Sequence, residues 1–205
     1  YIPSTLINVS PKENIIESIL LVKSGRDYFR TARELIGQAK DQIYLLTYIF
    51  QQDETGQQIA EALIDAVQKK VKVYVMADAY GSSELSDPFV NQMMNSGIQF
   101  RFFNPLLKAG SFYFGRRLHT KVLVVDGKVA LVRGMNIANR YNDTVDSHAW
   151  LDYAVKINAS EAIQIEAICK SFFETGKSKN IYGVEFPKIQ SKNGFNLLRS
   201  KLWEY

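Results

Sequence analysis

Short apolar segments alternate with segments of helical spacing through the first half of this 205-residue chain. The apolar segments have strand length and are rich in β-branched or aromatic residues, and they cover residues 18–24, 43–50, 71–77 and 98–103. Between them, apolar residues recur at helical spacing in residues 27–39, 59–69 and 87–95. This alternation predicts an α/β fold with a mixed, largely parallel β-sheet that is flanked by helices on both faces.

The middle of the chain breaks this alternation. Residues 104–118 contain one proline and two glycines, and they predict a long loop that carries aromatic and arginine side chains. Asp126 and Gly127 stand between two apolar runs, and an Asp-Gly pair in this setting is a strong hairpin signal. A further strand and a helix are predicted at residues 151–157 and 160–174.

The composition changes again near the end of the chain. Residues 176–193 are polar and basic, which indicates a linker, and residues 195–205 become apolar once more. We therefore divide the chain into a domain over residues 1–176 and a second segment over residues 177–205. Because the chain starts at Tyr1 rather than at Met, we expect a processed or excised piece of a longer protein.

Composition and charge exclude several classes of protein. The hydrophobic share of 46% and the charged share of 22% are ordinary for a globular domain and argue against disorder or a coiled coil. No apolar run approaches the roughly 18 to 20 residues that cross a bilayer. The net charge of +4 is a mild bias toward phosphate-bearing partners. With one cysteine and two histidines, the chain lacks an internal disulfide and the usual ligands of a Cys/His zinc site.

A histidine and a lysine lie two residues apart where the predicted loop enters a strand. Because side chains alternate along a strand, His119 and Lys121 are expected to point to the same face. Such a pair suits attack on a phosphate, with the imidazole as nucleophile and the ammonium as a charge for phosphate oxygens. The tripeptide alone is more typical of a solvated strand end. However, the predicted hairpin returns Asn136 beside His119, where its amide can donate to the same phosphate.

The spacing of these residues resembles the signature of the phospholipase D superfamily, which is H-x-K-x4-D followed by two small residues and x-N. The matching residues are, in order, His119, Lys121, Asp126, Gly134 and Asn136. Within the superfamily, residues 21–174 are most similar to the first half of bacterial cardiolipin synthases. The resemblance implies the α/β/α sandwich of the superfamily, and it implies that residues 177–205 contain the start of a second half.

The resemblance also implies a role for each residue. His119 corresponds to the histidine that attacks phosphorus, and Lys121 and Asn136 correspond to the residues that hold the phosphate oxygens. Asp152, in W-L-D, stands where the superfamily has an acid that orients the histidine ring. The alternative for this aspartate is a strand-end acid in a surface ion pair. Asp126 corresponds to the motif acid, which has a structural part.

Several positions depart from the superfamily pattern. Arg133 precedes Gly134 where two small residues are usual, so a bulky cation crowds the pocket, contacts the phosphate or turns away from the site. Gly134 keeps the second small position and is also a candidate phosphate contact. Ala154 replaces the histidine of W-x-D-x-H, and His148 comes too early to take its place, so a polar loop histidine is expected there. Cys169 lies on an apolar helix face and is expected to be buried.

Taken with the resemblance, these residues imply a phosphatidyl transferase or hydrolase of the phospholipase D and cardiolipin synthase type, which acts through a phosphohistidine. One motif is half of a two-motif active site, so we expect a second phospholipase D-like half or a homodimer mate. The expected substrate is an anionic phospholipid, and neither a cofactor nor a metal is implied. Peripheral contact with the membrane is expected on its cytoplasmic side in a bacterium. Residues 103–118 either make this contact or form an ordinary active-site loop that packs on its own domain.

Two other functions fit the same residues. The first is a metal-independent endonuclease of the superfamily that acts as a homodimer, and a sequence pI of about 9.0 is compatible with a nucleic-acid partner. The second is a noncatalytic binding or scaffold domain in which Arg133 obstructs the pocket. Different observations distinguish the three functions. The nuclease predicts DNA binding that weakens with salt, the lipid enzyme predicts turnover of phospholipid, and the scaffold predicts neither turnover nor a covalent intermediate.

Overall fold

The structure of the chain is a computed structural model. It describes residues 19–104, 107–108, 111–112, 117–145, 147–158 and 160–176. The predicted second segment over 177–205 lies outside the described residues. In the described part of the chain, no helix combines the length and the apolar character that crossing a bilayer requires.

Nine strands and four helices make up the described structure. The strands are β1 (Ile19–Lys23), β2 (Gln42–Thr47), β3 (Lys72–Asp78), β4 (Gln99–Phe103), β5 (Leu107–Lys108), β6 (Ser111–Phe112), β7 (Val122–Val125), β8 (Val129–Arg133) and β9 (Tyr153–Asn158). The helices are α1 (Arg26–Gln38), α2 (Glu54–Gln68), α3 (Asp87–Asn95) and α4 (Ser160–Thr175), and a 3₁₀ turn covers Asn139–Tyr141. Each strand and helix that the sequence predicts is present within a few residues.

Seven strands form one mixed sheet in the order β1, β9, β8, β7, β2, β3, β4. The mixed α/β class is therefore confirmed, although the expectation of a largely parallel sheet needs correction. Only β2 with β3 and β3 with β4 pair in parallel, and the other four pairings are antiparallel. The difference has two causes. Strand β1 lies at the far edge of the sheet, where it pairs with β9 in the antiparallel sense instead of pairing in parallel with β2. The hairpin strand β8 also has antiparallel neighbours on both sides, β7 and β9.

Helices cover both faces of this sheet, as predicted. On one face, helices α1, α2 and α3 each bury an apolar stripe in a hydrophobic core that includes Ile36, Leu63 and Met93. Helix α4 packs on the opposite face, where it buries Ile165, Cys169 and Phe172. Alternate strand residues face the two cores, so every buried strand contributes to both layers.

The hairpin between β7 and β8 turns at Asp126 and Gly127, whose φ angles are 55° and 60°. Positive φ at both central residues is the geometry that an Asp-Gly hairpin turn requires. The Asp126 carboxylate accepts hydrogen bonds from the backbone N–H groups of Lys40, Asp41 and Gln42, at 2.9, 2.8 and 3.0 Å. Asp126 therefore fastens the hairpin to the start of β2.

Candidate active site

His119 and Lys121 lie directly before β7, on the face of the sheet that α1 covers. Lys121 is 4% exposed, and its ammonium donates a 2.8 Å hydrogen bond to the His119 carbonyl oxygen. Its Nζ also lies 3.4 Å from Nδ1 of the His119 ring. The ring itself is open to solvent. The structure thus brings the predicted pair together, with the lysine beneath an accessible imidazole.

Asn136 follows β8 and is 4% exposed. Its Oδ1 accepts a 2.9 Å hydrogen bond from the backbone N–H of Ile49, and its Nδ2 donates to the Tyr141 hydroxyl at 3.0 Å. Tyr48, the residue before Ile49, has its ring centroid 5.6 Å from that of His119. The Asn136 amide is therefore fixed between Ile49 and Tyr141, one residue along the chain from the aromatic neighbour of His119, and its second N–H has no hydrogen-bond partner among the described residues.

The protein around the pair shifts both pKa values. Desolvation, and next the neighbouring Lys121 charge, lowers the pKa of His119, while Asp78 acts in the opposite direction. Burial, and next the Arg133 charge, lowers the pKa of Lys121 to about 8, against the effect of Asp152. Near pH 7 the imidazole is therefore mainly neutral and the lysine mainly charged. These are the protonation states that a nucleophile and a phosphate-binding cation need.

Asp78 belongs to the site although the sequence analysis missed it. It ends β3 and is fully buried. Its carboxylate accepts hydrogen bonds from the backbone N–H groups of Leu118 at 2.8 Å and of Tyr80 and Gly81 at 3.0 Å each. Because Leu118 immediately precedes His119, Asp78 anchors the chain that carries the candidate nucleophile. An acid at the carboxyl end of a buried strand is the signal that predicts such a position.

Asp152 lies just before β9, on the opposite side of the site from Asp78. A Cβ atom on Gly134 would fall 2.5 and 2.7 Å from the two oxygens of the Asp152 carboxylate, so a larger residue here would displace that carboxylate. The N–H of Gly134 already donates to the carbonyl oxygen of Tyr153 at 3.3 Å. Among the described residues, no hydrogen bond joins the Asp152 carboxylate to the His119 ring. The orienting role of Asp152 therefore stays a prediction.

Arg133 does not turn away from the site. Its backbone N–H donates to the Lys121 carbonyl oxygen at 3.1 Å, so the two side chains are neighbours on one face. The guanidinium is buried, its carbon lies 5.2 Å from the ring centroid of Tyr28, and burial lowers its pKa. Within the described part of the chain, none of its three nitrogens has a hydrogen-bond partner. The site therefore contains a buried guanidinium that no described residue hydrogen-bonds and that only the Tyr28 ring and the negative charge of Asp152 offset.

The remaining histidine lies apart from this cluster. His148 is exposed, and its Nδ1 lies 3.8 Å from Oδ1 of Asp143. Ala154 is buried in β9, where it pairs with Arg133. In the described residues, no group of three or more histidine, cysteine or acidic side chains lies close enough to share a metal ion.

The chain is similar to proteins of phospholipid metabolism. Residues 32–167 match the family described as cardiolipin synthase, PLD-like domain. Cardiolipin synthase B of Shigella flexneri is 36% identical over 142 residues, which are 68% of this chain and 34% of that protein. The chain thus spans about a third of the length of this curated relative.

Solved structures share the fold. The phosphatidylserine synthase of Haemophilus influenzae Rd KW20 superposes with a TM-score of 0.61 at 22% identity, over 77% of this chain and 37% of that one. A phospholipase D family member, NUC from Salmonella typhimurium, superposes with a TM-score of 0.55 at 21% identity, over 77% of this chain and 90% of that one. At this level of identity, the likeness shows a shared fold. The chain belongs to the cardiolipin synthase, PLD-like domain family of the phospholipase D superfamily.

Proposed function

We propose that this chain supplies one motif of a phospholipase D active site and transfers phosphatidyl groups through a phosphohistidine on His119. The observation that carries the proposal is the buried Lys121 ammonium directly beneath an exposed, mainly neutral imidazole. A solvated strand end would not bury its lysine or hold it against the histidine. The arrangement fits a nucleophile next to a phosphate-binding cation.

The proposed reaction has two steps. The lone pair of the unprotonated ring nitrogen of His119 forms a bond to phosphorus, the ester P–O bond breaks, and the leaving alkoxide takes a proton from a general acid. The hydroxyl of a second lipid alcohol, or water, then gives its proton to that same group, which now acts as a base, and attacks phosphorus, which breaks the P–N bond and frees His119. General acid catalysis contributes about 10² to 10⁴-fold, and the histidine of an opposing motif would provide it.

Fixed charges stabilise the negative phosphate in both steps. The Lys121 ammonium and the free N–H of Asn136 would donate to its oxygens. The Arg133 guanidinium would act through its positive potential, because its nitrogens are shielded from direct contact. Gly134, whose N–H is already used, would make room for the Asp152 carboxylate instead of contacting phosphate.

We also propose the partners and the location that the family suggests. The opposing motif would come from a second phospholipase D-like half or from a homodimer mate, and the substrate would be an anionic phospholipid. The chain would contact the membrane peripherally, on the cytoplasmic side in a bacterium. The side chains of residues 105–116, which make up most of the predicted contact loop, lie outside the described residues.

The identity to a cardiolipin synthase favours lipid over DNA as the substrate, because the likeness to NUC extends only to the fold. A homodimeric endonuclease and a scaffold domain remain the competing functions. Vesicles of phosphatidylglycerol and a DNA duplex, offered separately to the same protein, distinguish the two substrates. Turnover of DNA alone would replace the lipid proposal with the nuclease.

Detection of the covalent intermediate tests the mechanism. We expect the natural full-length protein, incubated with ³²P-labelled phosphatidylglycerol, to form an acid-labile, base-stable phosphoenzyme. His119→Asn should abolish the label and reduce turnover by about 10⁴-fold or more, because the nucleophile is lost. His148→Asn is the matched control and should keep both. Substantial turnover by His119→Asn, or no label in the wild type, would rule out this nucleophile.

A further inference from the structure

A cavity of about 350 Å³ opens beside the candidate nucleophile. Tyr48 forms part of its wall, and the Tyr48 ring centroid lies 5.6 Å from that of His119 and 5.7 Å from the Lys121 ammonium. The cavity and the histidine therefore share one aromatic wall. A group bound in the cavity and a phosphate on His119 would both have Tyr48 as a neighbour.

Arg140 lines this cavity from the 3₁₀ turn that follows Asn136. Its guanidinium carbon lies 5.8 Å from the ring centroid of Tyr141 and 5.7 Å from that of Trp150. The two rings meet edge to face, and the Arg140 carbonyl oxygen accepts a 2.9 Å hydrogen bond from the Trp150 N–H. Aromatic packing and a backbone bond thus hold the arginine in place without using its N–H donors.

The donors of Arg140 are unused in the described structure. The guanidinium makes no hydrogen bond or ion pair with any described residue, and its Nε is buried as well. A buried donor without a partner is costly and is usually paired with a ligand, an ion or water. The acid in the cavity wall, Glu84, is exposed and accepts a 2.8 Å hydrogen bond from Gln51 rather than from the arginine.

The cavity is also joined to the predicted phosphate-binding residue. The side chain of Asn136 accepts a hydrogen bond from the backbone N–H of Ile49, which lines the cavity. It also donates to the hydroxyl of Tyr141, whose ring packs against Arg140. A ligand on Arg140 would therefore lie one side chain away from a phosphate on Asn136. Two anions separated by a short polyol would match this arrangement.

We infer that the cavity is an anion subsite in which Arg140 binds the phosphate of a phosphorylated small alcohol, the headgroup of the lipid that accepts the phosphatidyl group. The planar guanidinium offers paired N–H donors that match phosphate oxygens. The subsite rests on the proposed transfer reaction and adds selection of the acceptor to it. It favours an acceptor hydroxyl that carries a phosphate nearby over water or a neutral alcohol.

Binding of soluble probes to the natural full-length protein tests the subsite. NMR titrations use sn-glycerol 3-phosphate, inorganic phosphate and glycerol, after thermal unfolding has shown that each variant is folded. We expect wild type to bind sn-glycerol 3-phosphate more tightly than either of the other probes. Arg140→Gln should weaken this binding at least about tenfold, and Arg140→Lys, which keeps the charge, should weaken it less. Arg30→Gln, an exposed arginine on α1, is the matched control and should bind as wild type does.

Three results would overturn the subsite. The first is an unchanged affinity for sn-glycerol 3-phosphate in both Arg140 variants, and the second is a wild-type affinity for inorganic phosphate equal to that for sn-glycerol 3-phosphate. The third is loss of binding in Lys121→Met, which would place the anion at the motif instead. The phosphoenzyme experiment reports separately on the reaction. If wild type forms no phosphohistidine but still binds sn-glycerol 3-phosphate through Arg140, the proposed function fails while the anion subsite stands.

Discussion

The two sides of the active site differ in how their buried charges are compensated. On the parallel side, at the end of β3, the Asp78 carboxylate accepts three backbone hydrogen bonds and lies 3.9 Å from the Arg117 guanidinium. On the antiparallel side, at the end of β8, the Arg133 guanidinium is equally buried but has no hydrogen-bond partner in the described structure. The buried charge of Asp78 is satisfied by hydrogen bonds, whereas that of Arg133 is offset only by the charge of Asp152 and the Tyr28 ring.

This difference indicates what each side does. A satisfied buried carboxylate makes a rigid anchor, and Asp78 uses it to hold the residue before His119. An unpaired buried cation is costly for folding but creates a positive potential where a phosphate would bind. Under the proposed function, the antiparallel side would lose some stability and gain anion binding, while the parallel side would keep the site rigid.

The largest effect is expected on the parallel side. Asp78→Asn replaces an acceptor oxygen with an amide that cannot accept from all three backbone donors, so the free energy of unfolding should fall by about 3 kcal/mol. Asp152→Asn is the matched control on the antiparallel side and should cost less than half as much, because its carboxylate is only partly buried. Urea denaturation measures both variants. Equal losses would mean that the two carboxylates anchor the site alike.

A smaller effect of opposite sign is expected at Arg133. Arg133→Met removes a buried charge without a hydrogen-bond partner and keeps a flexible side chain beside Tyr28. The free energy of unfolding should therefore be about 1 kcal/mol higher than in wild type. Turnover should fall by about tenfold, because positive potential at the phosphate is lost. Arg30→Met, on the exposed surface of α1, should change stability by less than about 0.5 kcal/mol. Marked destabilisation by Arg133→Met would show that the guanidinium is compensated after all.

The pH dependence of kcat/KM sharpens the comparison further. Activity should rise as His119 loses its proton, with an acid limb below the ordinary histidine pKa of 6.5. It should fall again near pH 8, as Lys121 loses its charge. Lys121→Arg should remove the alkaline limb, since arginine stays charged. Lys128→Arg, an exposed lysine in the hairpin, should leave the profile unchanged, and an alkaline limb that persists in Lys121→Arg belongs to another group.

Chelation should have the smallest effect. Because Lys121, Asn136 and Arg133 would supply the charge that stabilises the phosphate, we expect EDTA to leave turnover of phosphatidylglycerol unchanged within error. Loss of activity on chelation, followed by recovery on adding zinc or magnesium, would contradict these roles.

Local sequence patterns predicted most of the elements, and the deviations have local causes. Helix α3 begins at Asp87 as its proline predicts, with the Ser86 hydroxyl accepting from the Phe89 N–H at 3.3 Å. Strand β2 stops before the predicted end because Ile49 donates to Asn136 instead of to a neighbouring strand. Strand β9 starts late because Ser24 binds the backbone just before it, at Trp150 and Asp152. In both strands, a side chain from outside the strand hydrogen-bonds backbone groups that were expected to pair within the sheet.

The sequence by itself determined the alternation of strands and helices, the Asp-Gly hairpin and the spacing that brings His119 and Lys121 to one face. These features depend on residues close together in the chain, and side-chain periodicity encodes them directly. Only the tertiary structure decided that β1 pairs with β9, that Asp78 anchors the approach to His119, and that Arg133 is buried with no hydrogen-bond partner among the described residues. Strand pairing and charge compensation depend on contacts between residues far apart in sequence, and side-chain periodicity does not specify those contacts.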